Sequence, residues 1–445
     1  MLTFPKDFDW GVSMSAYQIE GAHDADGRGL SVWDTFSHRP GNIADGTTGD
    51  TACDHYHHWP RDLDLIAGLG SVSYRFSVSW SRVHPEPGGQ LSTAGLDFYE
   101  RLVDGMLERG IRPVLNLFHW DTPQWVQDAG GWRQRDTADL FAAYAADVAA
   151  RLGDRVARWS TVNEMFEHLT LGHVLGEHAP GLKLGMDEAF PIAHHLMLAH
   201  GKAVGALRAA SDAPVMLVNS YAPARPATDA EADHAVTGLY DILQNRLFTD
   251  PVLLGRYPAE VEPWLGDCVA DGDLDLIAAP LDALGVNYYT VNAVHATEGP
   301  VPLEVRPPEG HPRTAFGWAV VPDGLRETLI GLHGRYGSAL PPLYVSENGC
   351  AYDDVPGPDG RCDDRERIAF LDGHLQALRA ALDVGVDVRG YWVWSLLDNF
   401  EWAEGYTKRF GLVHVDYPTQ RRTPKASYDW YRELIAGARQ LGEQR

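Results

Sequence analysis

Cysteine is scarce in this chain. Cys53, Cys268, Cys350 and Cys362 are the only four in 445 residues, and no two stand at CxxC spacing. A disulfide-stapled scaffold is not expected, and reduced thiols in a cytoplasmic protein are. Basic residues are also short. Lys and Arg total 37 against 62 Asp and Glu, a formal charge of −25. Such a surface repels nucleic acid and anionic membrane, so neither is an expected partner. No apolar run reaches the length that spans a bilayer. The opening residues, Met1 to Asp7, lack a basic stretch followed by an apolar one, and no signal peptide is expected.

What is present is an ordinary globular mixture, 44% hydrophobic and 22% charged. A chain of this length buries a core without disulfide or metal. Runs rich in β-branched and aromatic residues alternate with helical periods. The candidate strands are Phe8 to Gln18, Ser71 to Trp80, Arg112 to Trp120, Val156 to Asn163, Pro214 to Asn219, Leu281 to Tyr289, Leu343 to Glu347 and Val388 to Leu397. Several are apolar nearly throughout, as strands covered on both faces should be. Between them, Leu96, Tyr99, Leu102, Val103 and Met106 recur at helical spacing before Gly110. Leu140 to Leu152, Ile368 to Leu378 and Tyr428 to Leu434 follow the same period. Eight strand–helix units predict an α/β fold of one (β/α)8 barrel over residues 1–445. The alternative, a doubly wound open sheet, is less favoured because no candidate strand is followed by a GxGxxG turn. Ala222 to Asp229, Gly299 to Pro312 and Asp353 to Arg361 read as long loops.

In such a barrel the chemistry collects at the C-terminal ends of the strands. Here those ends are polar: Gln18, His119, Asn163-Glu164, Asn287-Tyr288-Tyr289 and Glu347. Trp392 and Trp394 lie on the last strand, with Glu401-Trp402 just beyond it. Amides and carboxylates bind hydroxyls, and indole faces stack on the C–H faces of a sugar. Two glutamates at the ends of different strands suit glycoside hydrolysis. One protonates the leaving oxygen; the other attacks the anomeric carbon or activates water.

The motifs at these ends resemble glycoside hydrolase family 1, the β-glucosidase family. They are Phe8-Asp9-Trp10-Gly11 with Ser15-Ala16-Tyr17-Gln18, Tyr74-Arg75-Phe76-Ser77, Phe118-His119-Trp120-Asp121, Thr161-Val162-Asn163-Glu164, Ser346-Glu347-Asn348-Gly349, and the run from Gly390-Tyr391-Trp392 to Asn399-Phe400-Glu401-Trp402 and Phe410-Gly411. The resemblance implies a retaining β-glucosidase for terminal β-D-glucosyl groups, with β-D-galactosyl and β-D-fucosyl groups as further candidates. It makes Glu164 the acid/base and Glu347 the nucleophile. Gln18, His119, Trp120, Asn163, Tyr289, Trp394, Glu401 and Trp402 would bind the sugar. Arg75 and Tyr289 would keep Glu347 ionised. Trp318 and His178 would lie on the aglycone side. No metal or cofactor is implied; the partner is a small β-glycoside or oligosaccharide, such as those released from cellulose. Where the family usually has Pro after the acid/base Glu, this chain has Met165.

Other readings stay open. Asp54, His55, His57 and His58 could hold a metal, although surface or supporting histidines are commoner at such spacing. A barrel that binds sugar without catalysis is a second alternative, and a thioglycosidase a third, against which Glu164 argues. The last is a 6-phospho-β-glucosidase. Relatives of that kind carry a small polar residue, Lys and Tyr around the position where this chain has Glu401-Trp402.

Overall fold

All eight candidate strands form, with shifted ends. The computed structural model describes residues 3–70, 72–298, 302–358 and 360–443. Its barrel strands are β1 (Asp9–Met14), β2 (Ser73–Ser77), β3 (Arg112–Phe118), β4 (Arg158–Asn163), β5 (Val215–Ser220), β6 (Ala283–Asn287), β7 (Leu343–Asn348) and β8 (Val388–Trp394). They pair in parallel in chain order, and β8 closes onto β1, with Trp10 opposite Tyr391. Closure rules out the open doubly wound sheet. Helices His55–Gly68, Thr93–Glu108, Thr137–Leu152, Met186–Ala210, Pro322–Tyr336, Arg365–Asp383 and Ala426–Glu443 cover the outside. Short helices between Glu231 and Ile277 fill the place after β5. No helix among the described residues is long and apolar enough to cross a membrane.

Parallel strands under a helical coat have no wet face, which is why β2, β5, β6 and β7 are buried along their whole length. Inside the barrel, Val114, Met216, Val218, Ala283, Tyr344 and Trp392 form one cluster. Trp392 fits because residue 11 is glycine: a Cβ there would stand 2.5 Å from the indole ring and from the carbonyl oxygen of Ser73.

Several expectations need correction. The first strand does not run on to Gln18; it ends at Met14, and Ala16–Ile19 form a helical turn. That turn aims the Gln18 amide at the loop after β8, a contact no strand periodicity encodes. Likewise β2 stops at Ser77, and Trp80 opens a short helix; the expected start at Ser71 lies outside the described residues. Two of the proposed loops are not structureless. Ala224–Pro226 pairs in parallel with Asn292–Ala296, which pairs antiparallel with Leu303–Arg306. Pro226 is tolerated there because its strand is an edge, where a missing N–H faces no neighbour. Residues 299–301 and 359, within two of the proposed loops, lie outside the described residues.

The rim near β7 and β8 is fastened by a buried ionic cluster. Lys425 Nζ donates to Asp354 at 2.6 Å and to Asp398 at 2.7 Å. Arg409 pairs with Asp398 at 2.8 Å, and Arg367 with Asp354 and Asp364. Burial pushes the Asp398 carboxyl up, but Lys425 and Arg409 outweigh it, so it sits below the ordinary aspartate range. Its stabilising contribution is therefore present above the unfolded aspartate pKa and is lost as pH falls through the lower folded value. Lys425→Met would leave Asp354 and Asp398 with one cation each, Arg367 and Arg409, and would remove a buried charge partner from both, so a stability loss of about 3 kcal/mol, the lower end for a broken buried pair, is expected. Denaturant titration near neutral pH measures it; a change under about 0.5 kcal/mol, the size of a surface substitution, would contradict the account.

Candidate active site

The polar residues expected at the strand ends meet at the C-terminal mouth of the barrel. On one side is Glu347, in the last turn of β7. Arg75 from β2 donates through Nη1 to its Oε1 at 2.5 Å, and the Tyr289 hydroxyl donates to its Oε2 at 2.8 Å. Burial pushes this carboxyl up, while Arg75, Tyr289 and Asn287 pull it back. The next residue but one is held close by packing: a Cβ on Gly349 would lie 1.7 Å from the carbonyl oxygen of Trp394. Glycine at 349 thus lets the β7 end and the β8 end touch.

On the other side is Glu164, directly after β4. Its backbone lies in the left-handed region, φ 50° and ψ 64°, and its N–H donates to Val218 O at 2.9 Å. A non-glycine residue held there costs about 1–3 kcal/mol, strain that functional sites tend to keep. Helix Met165–Leu169 starts immediately afterwards, with Met165 fully buried. Met165 adds an N–H that Pro would lack, but the N–H of the first helical residue has no intrahelical acceptor, so the helix makes the same backbone hydrogen bonds with either residue. Asn287 Nδ2 donates to Glu164 Oε1 at 2.9 Å. Burial first, and then the negative charge of Glu347, push the Glu164 carboxyl well above the usual glutamate range. Of the pair, Glu164 is pushed further, because Arg75 and Tyr289 both serve Glu347 directly.

A hydrogen-bonded line joins the two glutamates. Arg75 Nη2 donates to Asn163 Oδ1 at 2.6 Å, and Asn287 Nδ2 donates to the same oxygen at 3.1 Å. Asn287 itself is aligned by Ser346 Oγ, which donates to its carbonyl at 2.7 Å. The role of Asn287 was not assigned from sequence. Its place just before Tyr288-Tyr289 at a strand end was the available signal.

Around this line stands an aromatic wall. The His119 ring stacks with Trp394 (5.5 Å, 22°) and with Trp402 (5.9 Å, 20°). It lies between the side-chain amides of Asn116 and Asn163 at 3.3 and 3.2 Å. Burial, and then Arg75, hold its pKa well below the ordinary histidine value, so it is neutral. The Trp120 indole donates to Asn163 O at 3.0 Å and packs 4.7 Å from Trp402. Gln18 Nε2 donates to Phe400 O at 2.9 Å and faces Glu401 Oε2 at 3.3 Å. Glu401 is 8% exposed, and burial, followed by the charge of Glu347, lifts its carboxyl to about 8.

The structure does not bring Trp318 and His178 together. Trp318 packs on Phe316 (4.3 Å) and Tyr289 (5.4 Å), beside Trp394. His178 packs against Trp33 (5.3 Å) and Trp120 (5.6 Å), and burial alone lowers its pKa to about 3. The two belong to different walls.

The histidines considered as metal ligands have other partners. His55 pairs with Asp62 at 2.9 Å, and His57 with Asp54 at 2.6 Å. Among the described residues no group of three or more His, Cys, Asp or Glu is placed to hold a metal ion. A separate cavity of about 410 Å³ opens at the opposite end of the barrel, lined by Asp9, Ser73, Arg112, Arg158 and Tyr344 among others. It lies at the strand N-termini, the end where barrels keep stability rather than chemistry.

A closed (β/α)8 barrel with two supported carboxyls at its C-terminal mouth, walled by indoles, has the parts of a glycoside hydrolase. Comparison with known proteins agrees. The model of "Glycosyl hydrolase family 1" matches residues 1–439, and the chain belongs to that family. It is 43% identical over 443 residues to beta-glucosidase A of Acetivibrio thermocellus, covering 98% of both chains. It is 46% identical over 463 residues to a bifunctional beta-D-glucosidase/beta-D-fucosidase of Bifidobacterium breve, again covering 98% of both. Among solved structures, the family 1 β-glucosidase of Thermotoga maritima superposes with a TM-score of 0.94 at 41% identity, covering 98% of each chain. The same protein has been solved with glucoimidazole bound, at a TM-score of 0.93.

Proposed function

We propose that this chain is a retaining β-glucosidase, one catalytic unit over residues 1–445, acting in the cytoplasm on small β-glucosides such as those derived from cellulose. The observation that carries this reading is the line Glu347–Arg75–Asn163–Asn287–Glu164. It links a cation-supported carboxylate to a carboxyl of high pKa across the barrel mouth, which supports unlike roles for the two.

In the first step Glu347 attacks C1 from one face while Glu164 gives its proton to the departing oxygen. A glycosyl ester on Glu347 results. Esterification removes the negative charge that raises Glu164, so its pKa falls and it becomes the base. It then takes a proton from water, which attacks C1 and frees Glu347 with the original anomeric configuration. Asn163, already oriented by Arg75 and Asn287, contacts the 2-hydroxyl, where binding strengthens as positive charge develops at C1. Gln18, His119 and Glu401 take the remaining hydroxyls. Trp120, Trp394 and Trp402 wall the ring, and Tyr289 serves both the sugar and Glu347. Trp318 lines the leaving-group side, and His178 backs Trp120.

Support against the 6-phosphosugar alternative comes from the cations near Glu401. Lys408 Nζ donates to Ala315 O at 3.1 Å and lies 5.6 Å over the Phe316 ring, while Arg409 is paired to Asp398. Both cations already face a carboxylate, Arg409 that of Asp398 and Lys408 that of Glu404 at 3.7 Å, so a phosphate on O6 would compete with these pairs and meet the buried Glu401 carboxyl.

A panel of 4-nitrophenyl β-glycosides, with the product anomer followed by NMR, tests the proposal. The glucoside should turn over, the first-formed sugar should be the β anomer, and the galactoside and fucoside should follow. Above a pH of about 8, where Glu401 is ionised, the glucoside 6-phosphate should be poorer by at least about tenfold in kcat/KM, one unit pair costing about 1–4 kcal/mol at roughly 4 Å. Because Glu401 has a pKa near 8, that penalty should grow as pH rises through this value. An α first product, or equal turnover of the phosphate, would overturn the assignment.

A further inference from the structure

A third carboxylate stands beside the proposed acid/base; its charge helps raise Glu164, after burial and Glu347, but no step of the mechanism above uses it. Glu167 lies one helical turn after Glu164, in Met165–Leu169, and is half-buried. Its Oε1 accepts from Ser220 Oγ at 3.0 Å and from Gln244 Nε2 at 3.4 Å. The donors are themselves aligned. Gln244 Nε2 donates to Ser220 Oγ at 3.0 Å, Tyr240 OH donates to Gln244 Oε1 at 3.0 Å, and Asn292 Nδ2 donates to Tyr240 OH at 2.8 Å. Two side chains thus hold one carboxylate oxygen, and two more align them. The other, Oε2, makes no hydrogen bond among the described residues, and no cation offsets the carboxyl.

The placement is set by the sheet. Ser220, which holds Glu167, is the register partner of Asn287, which holds Glu164. Neighbouring strands lie about 4.8 Å apart. The two carboxyls therefore sit over adjacent strand ends, Glu167 on the β5 side, away from Arg75 and Glu347. Glu167 is near enough to Glu164 for its charge to raise that carboxyl, so a leaving group protonated by Glu164 would depart within its reach. A half-buried carboxylate held by one oxygen, with no hydrogen bond on the second among the described residues, has an acceptor left for a ligand.

We propose that Glu167 selects the leaving group, receiving hydroxyl or ammonium groups of the aglycone on its open oxygen and turning away anionic ones. This rests on the glycosidase reading above. Glu167 does not touch the reacting atoms; it is a specificity residue. Burial pushes its carboxyl up from the ordinary glutamate range, and Ser220 and Gln244 pull it back. Discrimination by charge is therefore weak at low pH and strengthens as Glu167 ionises.

The test compares three aryl β-glucosides of similar shape, bearing para-aminomethyl (cationic), para-carboxamide (neutral) and para-carboxylate groups. Wild-type kcat/KM should fall in that order. In Glu167→Gln, which keeps an oxygen for Ser220, the neutral-to-anionic ratio should shrink by about three- to a hundredfold, the range between water-like and protein-like screening of a unit pair roughly 6 Å apart. Glu167→Lys should reverse the order. The wild-type ratio should rise with pH and be flatter in Glu167→Gln. Unchanged ratios in both variants, or an equal loss on all three substrates, would overturn the proposal and leave Glu167 a purely structural group. Failure of the wild type on the neutral glucoside would instead strike the glycosidase reading itself.

Discussion

Glu347→Ala is expected to lower kcat by about 10⁴–10⁶-fold on every β-glucoside, the scale of losing a catalytic nucleophile. The attacking carboxylate is the one group for which the pocket has no substitute. In the proposed mechanism Glu164 acts from the other side of the sugar, and Glu401 takes the far hydroxyls. The vacated space adjoins the Arg75 guanidinium, which loses its 2.5 Å partner and can receive a small anion. Azide should therefore enter and react at C1 of an activated substrate, giving the α-glycosyl azide by a single inversion. Arg75 without Glu347 is also a buried charge lacking one partner, a situation that costs about 3–5 kcal/mol. Glu347→Gln, which keeps the volume, controls for unfolding: it should fold with a higher thermal midpoint than the alanine variant and be equally inactive. A β-azide product, or retention of more than a few per cent of kcat in a folded variant, would place the nucleophile elsewhere.

Glu164→Ala should behave differently, and the difference lies in the leaving group. Proton donation contributes about 10²–10⁴-fold when the departing oxygen is a poor leaving group, and much less when it leaves unaided. Cellobiose hydrolysis should fall by that factor. On 2,4-dinitrophenyl β-glucoside the ester on Glu347 should still form quickly and then accumulate, since no base activates water. Azide needs no base, so it should speed the second step and yield the β-azide. The pH profile gives a further readout. Because Glu164 is held protonated well above the usual glutamate range, wild-type kcat/KM should fall on the basic side as pH rises through that raised value. The variant should lose this limb. Identical azide anomers from the two variants would mean that the roles are exchanged.

Much of this site was legible before any coordinates. The barrel strands are apolar because both faces are covered, so β5 and β7 announce themselves as short continuous runs. The polar residues that break those runs at the C-terminal ends are Asn163-Glu164, Asn287 and Glu347. They break them because chemistry at a barrel mouth needs side chains that a packed interior does not. Arg75 and Tyr289 were assigned to Glu347 by resemblance, and both donate to it in the structure.

Other features depend on contacts between distant parts of the chain. Gln18 was read as a strand end, yet it sits on a helical turn whose amide is held by Phe400, 382 positions away. Sequence periodicity reports the local backbone and is silent about such a partner. Pro226 and the loops around it looked structureless until three short segments met as a small sheet. The pairing of Lys425 with Asp354 and Asp398 joins three loops that no local pattern connects.

The chain by itself determined the barrel, because burial period and strand-end polarity are written along the backbone direction; its motifs carried the resemblance to the family and put two glutamates at strand ends. Tertiary structure decided the rest: which donors reach each carboxyl, that Glu164 is pushed further toward its protonated form than Glu347, that Lys408 and Arg409 are already paired, and that Glu167 is held by one oxygen beside Glu164. Each of these is set by charges and donors brought together across the barrel mouth, where distance through space, and not separation in sequence, fixes the energy.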